Sequence, residues 1–132
     1  MSQKHKKDKI IIVDFGSQVT KLIARRIREN KVFSEILRPQ DLKKENISKN
    51  VKGIILSGGP ATVVGNKHPN ISKEVFNLNI PILGICYGLQ LIAKHFKGKV
   101  KSNIKKREFG RAKLFKFKES LLTKNFFHKK KK

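Results

Sequence analysis

The chain has 132 residues, 38% of them hydrophobic, enough for one domain with a core of its own. Its formal net charge is +23, from 32 Lys and Arg against nine Asp and Glu. No run of 18 apolar residues exists to cross a membrane, and the basic start Met1 to Lys9 precedes no signal-like apolar stretch. A single cysteine rules out an internal disulfide and fits a reducing, cytoplasmic setting. Only six of the 32 basic residues are Arg, the side chain of planar, bidentate phosphate and base recognition. Lys, Asn, Ile and Phe, all abundant, can be encoded by codons of A and T alone, so compositional drift accounts for the charge as well as a nucleic-acid role does. The expectation is a lysine-coated surface with no specific nucleic-acid partner and no membrane contact. His5, His68, His95 and His128 are scattered singly, without metal-ligand spacing, so no metal is expected.

Residues 1–8 read as a disordered basic lead. Lys9 to Asp14 is a continuous apolar run closed by a carboxylate, the pattern of a strand buried on both faces. Ser17 can cap a helix in which Val19, Leu22, Ile23, Arg26 and Ile27 recur at helical spacing and mark one face; Asn30-Lys31 ends it. Val32 to Leu37 predicts a second strand, broken by Pro39, and Gln40 to Ile47 a short helix. Gly53 to Leu56 predicts a third buried strand, running into Ser57-Gly58-Gly59-Pro60. After a loop with Gly65 and Pro69, Ile71 to Leu78 is weakly helical. Ile80 to Ile85 predicts the fourth strand, and Leu89, Ile92, Ala93 and Phe96 mark one face of the helix that follows. Beyond Gly98, Lys99 to Ile104 and Arg111 to Lys118 alternate apolar with polar, as antiparallel or edge strands do. Leu121 to Phe127 is apolar but aperiodic, and the chain stops in His128 and four lysines.

Strands alternating with helices predict right-handed crossovers and an α/β fold: a three-layer, mostly parallel, doubly wound sheet. In such sheets ligands sit beyond the carboxyl ends of the strands. Asp14-Phe15-Gly16-Ser17-Gln18, Ser57-Gly58-Gly59-Pro60 and Cys86-Tyr87-Gly88 each follow a strand directly, so all three fall on one edge. Cys86, the sole cysteine, stands between Gly84 and Gly88 on a strand-to-helix turn. A nucleophile there is forced into a tight backbone conformation, and the glycines remove side chains that would clash. The helix N-terminus favours negative charge on sulfur. A lone Cys is otherwise most often a buried structural residue. A thiolate so placed can attack a carboxamide, releasing ammonia and leaving a thioester. The oxyanion needs two backbone donors, for which Tyr87 N–H and Gly59 N–H are candidates. Gln90, one helical turn on, could bind the substrate's polar groups. Alternatively Gly-Gly-Pro is only a tight turn and Gln90 is merely solvated.

Over about residues 9–120 the chain resembles the amidotransferase domain of the GMP synthase family, a branch of the class I, triad-type glutamine amidotransferases. The resemblance is carried by Ile12-Val13-Asp14-Phe15-Gly16-Ser17-Gln18, running on through Leu22 to Glu29, and by Gly53 to Pro60. Gly84 to Gln90 and Arg107-Glu108-Phe109-Gly110 complete it. The G-x-C-x-G turn is similar to that of the superfamily; the D-F-G-S-Q start and R-E-F-G look specific to this branch. The resemblance implies a flavodoxin-like fold, Cys86 as nucleophile, Gly59 and Tyr87 as the oxyanion hole, and Gly58 and Gln90 as residues that hold L-glutamine. It implies ATP and Mg²⁺ only for a separate ATP-pyrophosphatase part that aminates XMP, which this chain lacks, and a homodimer for the full-length protein.

The family's triad ends in His-Pro-Glu, after an S-H-G-D loop, and neither occurs here. His128 is followed by lysines, and His95 lies on a helix expected to point away from the turn. The chain is therefore expected to be an incomplete amidotransferase domain over 9–120, with residues 121–132 as an apolar then lysine-rich truncation end, and to be inactive alone. Two other readings stand beside it: a non-catalytic remnant serving as a basic binding protein, and a different triad-type glutamine amidotransferase, whose first-strand motif would differ.

Overall fold

A computed structural model describes residues 7–60, 69–101, 118, 120–122 and 124. The chain divides into two compact units, Met1–Ser102 and Asn103–Lys132, and every regular element among the described residues lies in the first. The order is β1 (Lys9–Val13), α1 (Val19–Glu29), β2 (Phe33–Leu37), β3 (Val51–Leu56), β4 (Ile82–Gly84) and α2 (Tyr87–His95). Short 3₁₀ turns occupy Pro39–Asp41, Lys44–Asn46 and Lys73–Asn77.

The four strands form one sheet in the order β2-β1-β3-β4, all neighbours parallel. The chain winds from β1 outward to β2, then returns past β1 to β3 and β4. The order therefore reverses between β1 and β3, the switch point where α/β sheets open a crevice. Registers align the strand ends: Val13 pairs with Leu56, and Leu56 with Gly84. The ladder runs one step further, with Ser57 N–H donating to Val13 O (3.1 Å) and Ile85 N–H to Leu56 O (2.9 Å). The residues that follow β1, β3 and β4 thus leave the sheet side by side, as expected from the sequence.

β1 alternates between two packed layers. Ile11 and Val13 join Ile54, Leu56, Val75, Tyr87 and Leu91 in the main core, while Ile12, also fully buried, faces the opposite layer. That burial on both faces explains the apolar runs at residues 10–13 of β1 and 54–56 of β3.

The helix faces agree with the periodicity only in part: Ile23, Ile27, Ile92 and Ala93 are half-buried as expected, but the most buried positions are others. In α1 the buried residues are Thr20 and Ala24; Val19 and Leu22 are 47% and 58% exposed. Small side chains let the helix axis approach the sheet, and the larger ones flank the contact. In α2 the buried residues are Tyr87, Gly88 and Leu91, whereas Leu89 and Phe96, expected on the packed face, are mostly exposed. The short helix expected over Gln40 to Ile47 is two 3₁₀ turns, the first begun by Pro39. Ser17 stands one residue before the α1 N-cap, Gln18, yet its hydroxyl does accept Val19 N–H at 3.1 Å. Lys99 to Lys101 form no strand. Residues 102–104 and 111–117 of the alternating segments, the R-E-F-G segment, the loop around Gly65, His5, His68 and His128 lie outside the described residues.

Candidate active site

Cys86 is the N-cap of α2, with φ 52° and ψ −114°. A positive φ on a residue with a Cβ costs of order 1–3 kcal/mol and persists only where its surroundings hold it. Here they do. A methyl on Gly84 would stand 2.6 Å from Ile92 Cδ1 and 2.7 Å from Leu89 N; on Gly88 it would run into the Leu56 carbonyl. The strand and helix cross so closely at this corner that only glycine fits either side of the cysteine. Cys86 O accepts Leu89 N–H (3.1 Å) and Gln90 N–H (3.2 Å), starting α2, while the residue itself is exposed. It is not the buried structural cysteine that a lone Cys usually is.

The turn after β3 forms the opposite wall. A methyl built on Gly58 would lie 3.2 Å from Cys86 Cβ and 3.8 Å from its Sγ, so this backbone runs directly beside the thiol. On Gly59 it would stand 2.9 Å from the Phe15 carbonyl carbon. Gly16 (φ 98°) in turn lies against Pro60. The three loops after β1, β3 and β4 therefore pack as one unit.

Beneath them, Phe15 and Tyr87 meet edge to face with ring centroids 4.9 Å apart, both buried. The Tyr87 hydroxyl donates to the Pro69 carbonyl, and burial pushes its pKa above the ordinary phenol value. Gln90 is half-buried one turn after Cys86. Chemically, an exposed thiol at a helix start beside glycine-rich backbone can meet a carbonyl carbon while main-chain N–H groups reach its oxygen.

His95, the one histidine among the described residues, closes the far end of α2. Its ring stacks on Phe76 at 3.9 Å and 12°, and nine residues of helix rise amount to about 13 Å from Cys86. The structure keeps it away from the thiol, as expected. Sequence reading passed over the buried pair Thr20 and Ser57, whose hydroxyls meet beneath the Gly58-Gly59 turn. A Thr four residues before Ala24, on a helix following a strand-end carboxylate, was the available signal.

Residues 11–131 match the family described as glutamine amidotransferase class-I. The chain belongs to that family. This class-I glutamine amidotransferase chain is similar to the GMP synthase [glutamine-hydrolyzing] of Chlorobaculum tepidum, at 57% identity over 106 residues, 80% of this chain and 20% of that protein. It is 52% identical over 121 residues to the Campylobacter hominis protein of the same name, covering 91% of this chain and 23% of the relative. Among solved structures it resembles a Thermoplasma acidophilum protein described as a GMP synthase subunit, with TM-score 0.55 and 35% identity, over 70% of this chain and 46% of that one. The chain thus spans about a fifth of the length of these curated relatives. No helix among the described residues is long and apolar enough to cross a membrane.

Proposed function

We propose that this chain is the glutaminase portion of a GMP synthase, with Cys86 as the nucleophile that attacks the side-chain carboxamide of L-glutamine. The observation that carries it is the Cys86 turn: an exposed thiol on a backbone with φ 52°, capping α2 and flanked by glycines that nothing larger can replace. Cys86 Sγ bonds to the amide carbon, the C–N bond breaks, and the nitrogen leaves as ammonia with a proton taken up on the way. Water then cleaves the thioester, releasing glutamate and restoring the thiol. Gly59 and Tyr87 N–H groups receive the oxyanion, and Gly58 and Gln90 line the glutamine. In the longer protein the ammonia would aminate XMP to GMP, with ATP and Mg²⁺ serving that separate synthetase part.

Proton transfer needs a base, and the His-Pro-Glu sequence does not occur in these 132 residues. The test is ammonia release from glutamine by the chain alone and by a chimera in which the remainder of the Chlorobaculum tepidum relative follows residue 120, each with a Cys86→Ala control. The chimera should release ammonia and lose it on Cys86→Ala. The chain alone should be slower by about 10²–10⁴-fold, the usual worth of general acid–base help. Release by the chimera that survives Cys86→Ala would sink the assignment.

A further inference from the structure

Under the Gly58-Gly59 turn lie two hydroxyls with no solvent to satisfy them, beside the half-buried carboxylate of Asp14. Thr20, in the first turn of α1, is 1% exposed and Ser57, directly after β3, 0%; their hydroxyl oxygens are 2.9 Å apart. Thr20 Oγ1 also donates to Asp14 Oδ1 at 3.2 Å, and the same oxygen accepts Gly16 N–H at 2.8 Å. An ionised carboxylate only accepts, and a threonine hydroxyl has one hydrogen to give. With that hydrogen on Asp14, the Ser57 hydroxyl must donate to Thr20. The chain of bonds therefore has a direction, Ser57 to Thr20 to Asp14, and ties together the ends of β1 and β3 and the start of α1.

Two consecutive glycines follow Ser57, the softest backbone in the chain. Ser57 is anchored through its N–H to Val13 O and through its side chain to Thr20, so the turn leaves the sheet from a residue held at two points. We propose that Ser57, Thr20 and Asp14 are positioning residues, a directional hydrogen-bond chain that holds the Gly58-Gly59 turn with its amides aimed at the carbonyl oxygen of a substrate on Cys86. The assignment rests on the nucleophile reading above and adds three residues to that site.

Two electrophiles separate positioning from mere stability. Iodoacetamide is attacked at its saturated carbon: an S–C bond forms, iodide leaves, and no charge gathers on oxygen. p-Nitrophenyl acetate is attacked at its carbonyl: an oxyanion forms, p-nitrophenolate leaves, and a thioester remains. Both rates are read on the full chain, with Cys86→Ala giving the lysine background. Ser57→Ala removes only the terminal donor and leaves Thr20 bonded to Asp14; Thr20→Val breaks the chain, and Thr20→Ser restores it. The acylation rate should fall roughly ten- to a hundredfold in Ser57→Ala and Thr20→Val, below the full loss of an oxyanion donor. It should return to within about threefold in Thr20→Ser, while alkylation stays within about twofold throughout. Unchanged acylation overturns the assignment, as does a parallel fall in both rates. Because neither probe is glutamine, failure of the glutaminase assay would leave a distinct signature: no ammonia from the chimera, with the acylation pattern intact.

Discussion

Tyr87 ties the site to the core through three contacts of different kinds. Its ring packs on Phe15 and its hydroxyl on Pro69, and its main chain continues from Cys86. It is the sole tyrosine in a chain without tryptophan, so its ionisation can be followed by absorbance without interference. Burial raises its pKa, so above pH ~10 the unfolded phenol loses its proton while the folded one keeps it. Linkage then has the unfolded state binding fewer protons, so stability is whole below the unfolded value and declines as pH rises through the folded one. Urea melts between pH 9 and 11 should show that decline in the parent protein, and Tyr87→Phe should flatten it. A phenol titrating alike in folded and urea-unfolded protein would contradict the burial argument. Gly88 offers a harsher probe: Gly88→Ala pushes a methyl into the Leu56 carbonyl and Cβ, with no flexible side-chain end there to yield. We expect loss of the cooperative melt, since a clash of this kind exceeds the ordinary range of ~0.5–3 kcal/mol for single substitutions.

At the level of elements, strands were legible and helix faces only in part, through Ile23, Ile27, Ile92 and Ala93. β1 and β3 announce themselves because burial on both sides requires the apolar runs at residues 10–13 and 54–56. β2 and β4 are recognisable too, although β4 contracts to Ile82–Gly84 against the six residues expected. Periodicity missed the centre of the α1 face because apolar character marks what can be buried, not what is closest to the sheet. Thr20 and Ala24 sit closest because they are small, and Thr20 because Asp14 and Ser57 satisfy its hydroxyl. The site followed the same division: Cys86 and the two glycines were plain from spacing, while the polar chain beneath them needed the contact between β1, α1 and β3. The structure and the periodicity predict opposite outcomes for one pair of variants. Leu22→Lys should leave stability within about 0.5 kcal/mol, whereas Ala24→Leu should cost about 1–3 kcal/mol by overpacking. Urea denaturation at pH 7 decides it; the reverse ranking would restore the apolar stripe as the packed face.

Taken whole, the molecule combines a strongly cationic coat with exposed apolar surface. Leu22, Phe33, Leu89 and Phe96 are each more than half exposed, and a cleft of about 460 Å³ beside α1 is lined mainly by Ile10, Leu22, Ile23, Ile27 and Val32. Net charge of +23 opposes self-association through that surface, and salt screens the opposition over a Debye length of about 8–10 Å. Light scattering should therefore rise with ionic strength, and Leu22→Lys combined with Leu89→Lys should suppress the rise; insensitivity to both salt and substitution would remove the apolar surface as its cause. The same coat should hold nucleic acid only through phosphate neutralisation. Duplexes of unrelated sequence should bind equally and weaken by orders of magnitude between about 50 and 200 mM salt. Sequence-selective binding at the higher salt would instead favour a basic binding protein.

The parallel registers also set an order in time. Helix α2 is local, but the bent backbone at Cys86 is held by Leu56 at the end of β3, and β3 is registered against a strand that begins at Lys9. Loops of tens of residues must close before the corner exists, and non-local pairing is the slow part of folding. During refolding, helical signal should therefore return ahead of carbonyl-directed thiol reactivity. Cys86 thereby serves as a clock for sheet assembly, reading out the moment when residues far apart in sequence first meet.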